Sequence, residues 1–232
     1  EGLAPKRLSE LLIAIKDAER PRTHHYVGFA QRVRNPKFNE EPYAQFEYPD
    51  TGYRILALYR HWNIIQNYFP YRDLTDKDWN DVLSEFLPKF VEAADALEYR
   101  LAVMELIAAV QDTHADIGGP DEIISRFIGL NRANLNVRFV EKRLMDTAYL
   151  VEKLVEEGGA QIGDVITAID GVSVEDWIRD KGRYIGASND AVHRLKVAGR
   201  ILRTHKVRLP LTVKRGSESL NVTVPCMERK QS

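Results

Sequence analysis

Apolar residues recur at helical spacing near the start of the chain, where Leu8, Leu11, Leu12 and Ile15 share one helix face. The pattern then loosens from Arg20 to Pro49 into a stretch bearing Pro, Asn and Tyr. It reads as an extended segment wrapped on another part of the protein. Helical periodicity returns from Gly52 to Asp112. Ile55, Leu58, Trp62, Ile65 and Phe69 alternate steps of three and four, and Pro70 ends the helix they define. Thr75 with Asp78 is an N-cap signature ahead of Trp79, Val82, Leu83, Phe86 and Phe90, and Pro88 is expected to kink or split that helix. Asp95 and Glu98 open a third helix with its apolar face on Leu97, Leu101, Met104 and Val110. Short connections make these helices antiparallel neighbours in a small bundle.

Gly118-Gly119-Pro120 breaks that pattern. Beyond it Leu135, Val137 and Phe139 alternate with polar residues, as do Tyr149, Val151 and, more loosely, Leu154. Val165, Ile166 and Ile169 form a short buried strand closed by an Asp170-Gly171 turn. Helical spacing returns at Ala191, Leu195, Ala198 and Leu202. Two closing strands follow, Val207–Lys214 and Ser219–Val224, joined through Arg215-Gly216. The predicted class is α+β: an N-terminal helical bundle, then a small partly open β-barrel with flanking helices. The expected division is a helix and wrapping segment over 1–50, the bundle over 51–117, a linker over 118–130 and the β-rich module over 131–229.

Composition narrows the function classes. With 33 Lys and Arg against 34 Asp and Glu, the net charge of −1 supplies no field for gathering nucleic acid. No apolar run is long enough to span a bilayer. The single cysteine, Cys226, excludes an intrachain disulfide and any multi-cysteine metal site, and neither a metal nor a cofactor is expected. The chain begins at Glu1 without a basic-then-apolar leader and ends just past a strand-like run, so its ends read as cut from something longer.

The sharpest local signal is Ile162-Gly163-Asp164-Val165-Ile166 followed by Ile169-Asp170-Gly171 and Val174, a tight turn–strand–turn unit. Spacing alone makes it a plain hairpin. Preceded by Leu150-Val151-Glu152-Lys153 and the Glu157-Gly158-Gly159-Ala160 turn, it resembles the signature of bacterial PDZ domains over roughly 131–229. That resemblance implies a module that adds a peptide strand to its own sheet. The docking edge would be Leu135–Val140, with Leu135, Val137 and Phe139. The facing wall would be the helix after Ser188-Asn189, with Val192, Leu195 and, as a further candidate, Lys196. The family's carboxylate-binding loop is not recognisable ahead of Leu135, Gly129-Leu130 being a distant candidate.

His114, in Asp112-Thr113-His114-Ala115-Asp116, lies just beyond a helix C-terminus. There the dipole favours a protonated ring, and spacing alone makes it a capping histidine. The block Tyr53-Arg54, Leu58 to Ile65, Tyr68 to Tyr71, Trp79, Val82-Leu83, Phe86-Leu87-Pro88 and Asp112 to Ala115 resembles the N-terminal part of tail-specific serine peptidases of the C-terminal-processing, tricorn-core type. Asn35-Pro36, Asn39-Glu40, Tyr184 and Ala187-Ser188-Asn189 resemble bacterial members. In the histidine-using branch of that family, a residue placed like His114 is the general base for a serine in a following α/β domain. Asp112 and Asp116 flank it, and either could orient Nδ1.

No Gly-x-Ser-x-Gly elbow occurs, and Ser9, Ser84, Ser125, Ser173, Ser188, Ser217 and Ser219 lack nucleophile context. His24-His25 reads as a surface pair and His61 as a helix residue, packed or exposed. Lys206, Arg208, Lys214 and Arg215 read as a solvated strand face. The resemblance implies the non-nucleophile portion of a secreted or periplasmic bacterial serine peptidase. It would dock peptide and lend His114 to a catalytic domain of the same parent chain, and be inactive alone. The alternatives are a stand-alone peptide-binding adaptor and an apolar-ligand carrier.

Overall fold

A computed structural model of the chain describes residues 5–19, 26–32, 35–41, 43, 45–118, 120–149 and 159–228. Two compact units result, Glu1–Phe46 and Glu47–Ser232. In the first, α1 (Pro5–Asp17) forms where the leucine spacing predicts it, yet Leu8, Leu11, Leu12 and Ile15 are all exposed. The extended stretch after it holds a small antiparallel hairpin of β1 (Val27–Phe29) and β2 (Pro36–Phe38). His24-His25 and Leu150 to Gly158 lie outside the described residues.

The second unit opens with α2 (Thr51–Tyr68), capped by Asp50, whose carboxylate accepts the Tyr53 N–H at 3.0 Å. After a short 3-10 turn come α3 (Trp79–Glu92) and α4 (Ala96–Ala109). Leu58, Ile65, Trp79, Val82, Phe86, Phe90, Ala102, Leu106 and Val110 close the first hydrophobic core. Two indoles stitch α2 to α3, the Trp62 Nε1–H donating to the Trp79 carbonyl at 2.8 Å and the Trp79 Nε1–H to the Trp62 carbonyl at 3.1 Å.

The N-cap of α3 is Asp78, accepting from the Asn80 N–H, while the Thr75 hydroxyl is spent on the Arg72 and Lys77 carbonyls. Pro88 does not split α3: it and Ser84, the residue whose carbonyl loses its partner, both lie on the exposed side, where that oxygen is open to solvent. On α4 the buried residues are Ala102, Met104, Leu106 and Val110, with Leu97 and Leu101 only half-buried. This helix is apolar on most sides and is packed from several directions, so periodicity could not single out one face.

Arg54 is buried, 5% exposed, and makes up for the missing partners at the end of α3. Its guanidinium donates to the Phe90 and Val91 carbonyls at 2.8 and 2.9 Å, and to Pro49 and Thr51, with the Tyr48 ring 4.9 Å beneath it. A cation on orphan C-terminal carbonyls is the favourable pairing with the helix dipole.

The stretch read as linker carries α5 (Glu122–Ile128), capped by Asp121. Then come β3 (Asn131–Ala133), β4 (Leu135–Val140), β5 (Arg143–Tyr149), β6 (Val165–Ile169), β7 (Val172–Ser173), α6 (Val174–Lys181), α7 (Asp190–Arg200), β8 (Arg203–Thr204), β9 (Arg208–Arg215) and β10 (Glu218–Glu228). The strand order is β4-β5-β6-β9-β10-β3-β8, with β7 beside β6. Strands β3 and β4 are separated by Asn134 alone, yet stand at distant places in that order. The sheet must therefore curl into a half-barrel. Long β10 makes the corner, pairing with β9 through Pro225 and with β3 from Cys226 to Glu228. The mixed α+β class expected from the sequence is the class observed.

The second core fills this half-barrel with residues that include Leu135, Val137, Leu144, Ile166, Val197, Ala198, Ile201, Leu202, Leu209, Leu211 and Val213. The core side of α7 is thus Val197, Ala198, Ile201 and Leu202; Ala191 and Leu195, expected on that side, are exposed. The Asp170-Gly171 turn forms as predicted, with φ of 52° and 82° at its two residues. Arg215 is no solvated strand residue: it holds buried Asp164 through two bonds of 2.8 Å, and Gln161 N–H adds a third. The arginine keeps the Asp164 carboxyl below the usual carboxylate range.

Candidate functional site

Val110 closes α4, and Gln111 turns the chain away with a φ of 55°, a left-handed conformation that costs a branched side chain energy. Its amide is pinned from outside the helix. Gln111 Oε1 accepts the Asp76 N–H at 2.7 Å, and its amide N–H donates to the Asp76 carboxylate at 2.5 Å. The next residues form an Asx turn, Asp112 Oδ1 accepting the His114 N–H at 2.8 Å. The same oxygen lies 3.3 Å from His114 Nδ1, while Asp116 pairs with Arg200 at 3.2 Å. Of the two flanking carboxylates, Asp112 is the one beside the ring.

The His114 side chain is 95% exposed and stands on the wall of a cleft of about 750 Å³. Phe69, Tyr71, Leu74 and Val110 form an apolar side, and Ser188, Asn189, Asp190 and His193 face it from the start of α7. Among the described lining residues Ser188 is the one serine, and its hydroxyl lies 2.7 Å from that of Thr113. His193 is tied to the Gly182 carbonyl through Nε2 at 2.9 Å.

The second candidate set stands elsewhere on this unit. β4 is the first strand of the sheet order, and α7 packs beside it. Leu135 and Val137 are buried in the half-barrel core, so β4 could offer a ligand its backbone but not those side chains. Phe139 and Val192 are half-buried and Leu195 is 67% exposed. The Arg194 guanidinium sits 5.4 Å over the Phe139 ring and pairs with Asp190 at 2.9 Å, bridging helix to strand. Lys196 turns away from this region: its amine donates to the Thr113 and Gly186 carbonyls. Gly129 precedes β3, not β4. A Cβ there would meet Thr204 backbone at 2.5 Å, so this glycine is required by close packing.

Asp76 and Gln111 were not legible as parts of the His114 cleft, nor Lys196 as a tie to the Thr113 carbonyl beside it, because a left-handed glutamine and a long-range amine-to-carbonyl bond leave no spacing signal. Among the described residues no group of three or more His, Cys, Asp or Glu is placed to hold a metal ion, and no helix is long and apolar enough to cross a membrane.

Comparisons with known proteins bear on the sheet first. Residues 143–226, which run from β5 into β10, match the family described as Bacteroidetes, peptidase, S41 family, N-terminal domain. No curated protein matches the sequence. Among solved structures, the crystal structure of mature CPAF aligns over 78% of this chain and 35% of its own, with a TM-score of 0.54 and 14% identity. A serine-to-alanine mutant of CPAF aligns over 78% and 34%, with a TM-score of 0.52 and 14% identity. At that identity the likeness is one of fold, and the chain spans about a third of the length of those structures. Residues 143–226 are therefore similar to an S41-type peptidase N-terminal domain, and the chain as a whole shares its fold with part of those structures.

Proposed function

We propose that this chain is the non-nucleophile portion of a secreted or periplasmic bacterial serine peptidase. The observation that carries the reading is His114 on an open cleft, its Nδ1 faced by Asp112, in a chain whose sheet matches an S41 peptidase N-terminal domain. Asp112 orients the imidazole and stabilises its protonated form. Nε2 takes the proton of a serine hydroxyl as that oxygen attacks the peptide carbonyl, then returns it to the leaving amine. Serine and oxyanion hole are supplied by a catalytic domain outside these residues, since no serine here stands in a Gly-x-Ser-x-Gly elbow. The β-rich part acts as a PDZ-like module. An extended peptide adds to the β4 edge, and Phe139, Val192 and Leu195 meet its side chains. The nearly neutral chain suits such a partner.

Labelling tests this directly. The full-length gene product, treated with a serine-directed fluorophosphonate and mapped by mass spectrometry, is expected to carry the label at a serine beyond these 232 residues and to lose peptide hydrolysis with it. A label within them, or hydrolysis that survives complete labelling, contradicts the reading.

A further inference from the structure

An exposed imidazole has no side-chain packing to hold it. Where His114 stands is therefore decided by the backbone that carries it, and that backbone is anchored from α7. Lys196 follows exposed Leu195 and precedes Val197, which is fully buried, so the helix beneath its side chain is fixed in the half-barrel core. Its ammonium donates to two main-chain carbonyls, Thr113 and Gly186, each at 2.6 Å. The residue beside His114 and the segment before α7 are thus drawn onto one charge. Two further ties join the same segments. Ser188 N–H donates to the Thr113 hydroxyl at 3.2 Å, and a Cβ on Gly186 would lie 3.0 Å from the Ala115 carbonyl oxygen, so any larger residue there would press that backbone back by a few tenths of an ångström.

We propose that Lys196 is a positioning residue for His114, its ammonium clamping the Thr113 carbonyl to the Gly186 carbonyl and so setting where the imidazole stands in the cleft. A compact ammonium suits this task, because it can share its hydrogens between two carbonyls converging from different segments. The proposal rests on the reading of His114 as a general base, where a misplacement of an ångström costs about a hundred-fold in rate.

Two measurements test the clamp separately from the base. In this chain, Lys196→Met keeps the side chain's length but removes its donors. Hydrogen exchange at the Ala115 and Ser188 amides should accelerate about ten-fold or more, with the Leu106 and Val197 amides unchanged and Lys196→Arg restoring protection. Gly186→Ala, which pushes on the Ala115 carbonyl by a separate route, should speed the same amides. In the full-length gene product, Lys196→Met should lower kcat about ten-fold or more and leave KM within about two-fold. Unchanged exchange in Lys196→Met overturns the clamp. So does an unchanged kcat beside an inactive His114→Ala protein. If His114→Ala hydrolyses at the wild-type rate, it is the base assignment that fails, whatever the exchange shows.

Discussion

His61 shows what a single residue's surroundings do to its chemistry. Its Nε2 is buried without a hydrogen-bond partner among the described residues, and its ring lies 6.3 Å from that of Trp79. Burial disfavours the charged form and lowers its pKa from 6.5 to about 4. Because the unfolded chain binds the proton more readily, stability is lost as pH falls from about 6.5 toward about 4 and levels off below. Between pH 7 and 5 the loss from this group is about 2 kcal/mol. Urea unfolding of wild type and His61→Phe across that range should show the wild type losing more by this amount; parallel curves would contradict the account. His114 differs in the opposite way. It is solvated, so its usefulness depends on Asp112 and on the ties that hold its loop. Spacing flagged both histidines, but neither burial nor the choice of Asp112 over Asp116 is a property of spacing.

Among elements, those built on periodic apolar positions with side-chain caps were readable. Asp95 caps α4 as its spacing from Glu98 suggests, and Glu98 reaches back to the Ala94 N–H. The β4–β5 hairpin was half missed, because its turn is Glu141-Lys142, with φ of 47° and 68°, and carries neither Gly nor Asn. Both residues stand in the left-handed region that a two-residue hairpin of this kind requires. Val140 pairs with Arg143, so β5 begins well before the Tyr149 alternation that pointed to it. This turn is stabilisable. Lys142→Gly relieves left-handed strain at some cost in unfolded-state entropy, and should raise stability by about 0.5–1 kcal/mol in thermal or urea unfolding. A loss of stability would show that the turn is not strained at Lys142. The short helix α5, by contrast, gave too few turns for a period to emerge.

At the scale of the whole molecule, two cores were legible as two styles of sequence, one helical and one alternating. What joins them around the cleft was not. The Asp76–Gln111 pair, the Thr113–Ser188 bond and the Lys196 clamp connect residues 35 to 83 positions apart, and a linear pattern carries no record of such pairs. The candidate base was visible because the motif around it resembles a known family; its cleft was visible only in three dimensions. In the proposed reading this cleft contributes a proton acceptor to peptide hydrolysis. That role is read out by kcat/KM of the full-length gene product on an unfolded peptide substrate, wild type against His114→Ala, with circular dichroism confirming an unchanged fold. A general base at His114 requires a fall of about a hundred- to ten-thousand-fold; undiminished turnover would contradict that role.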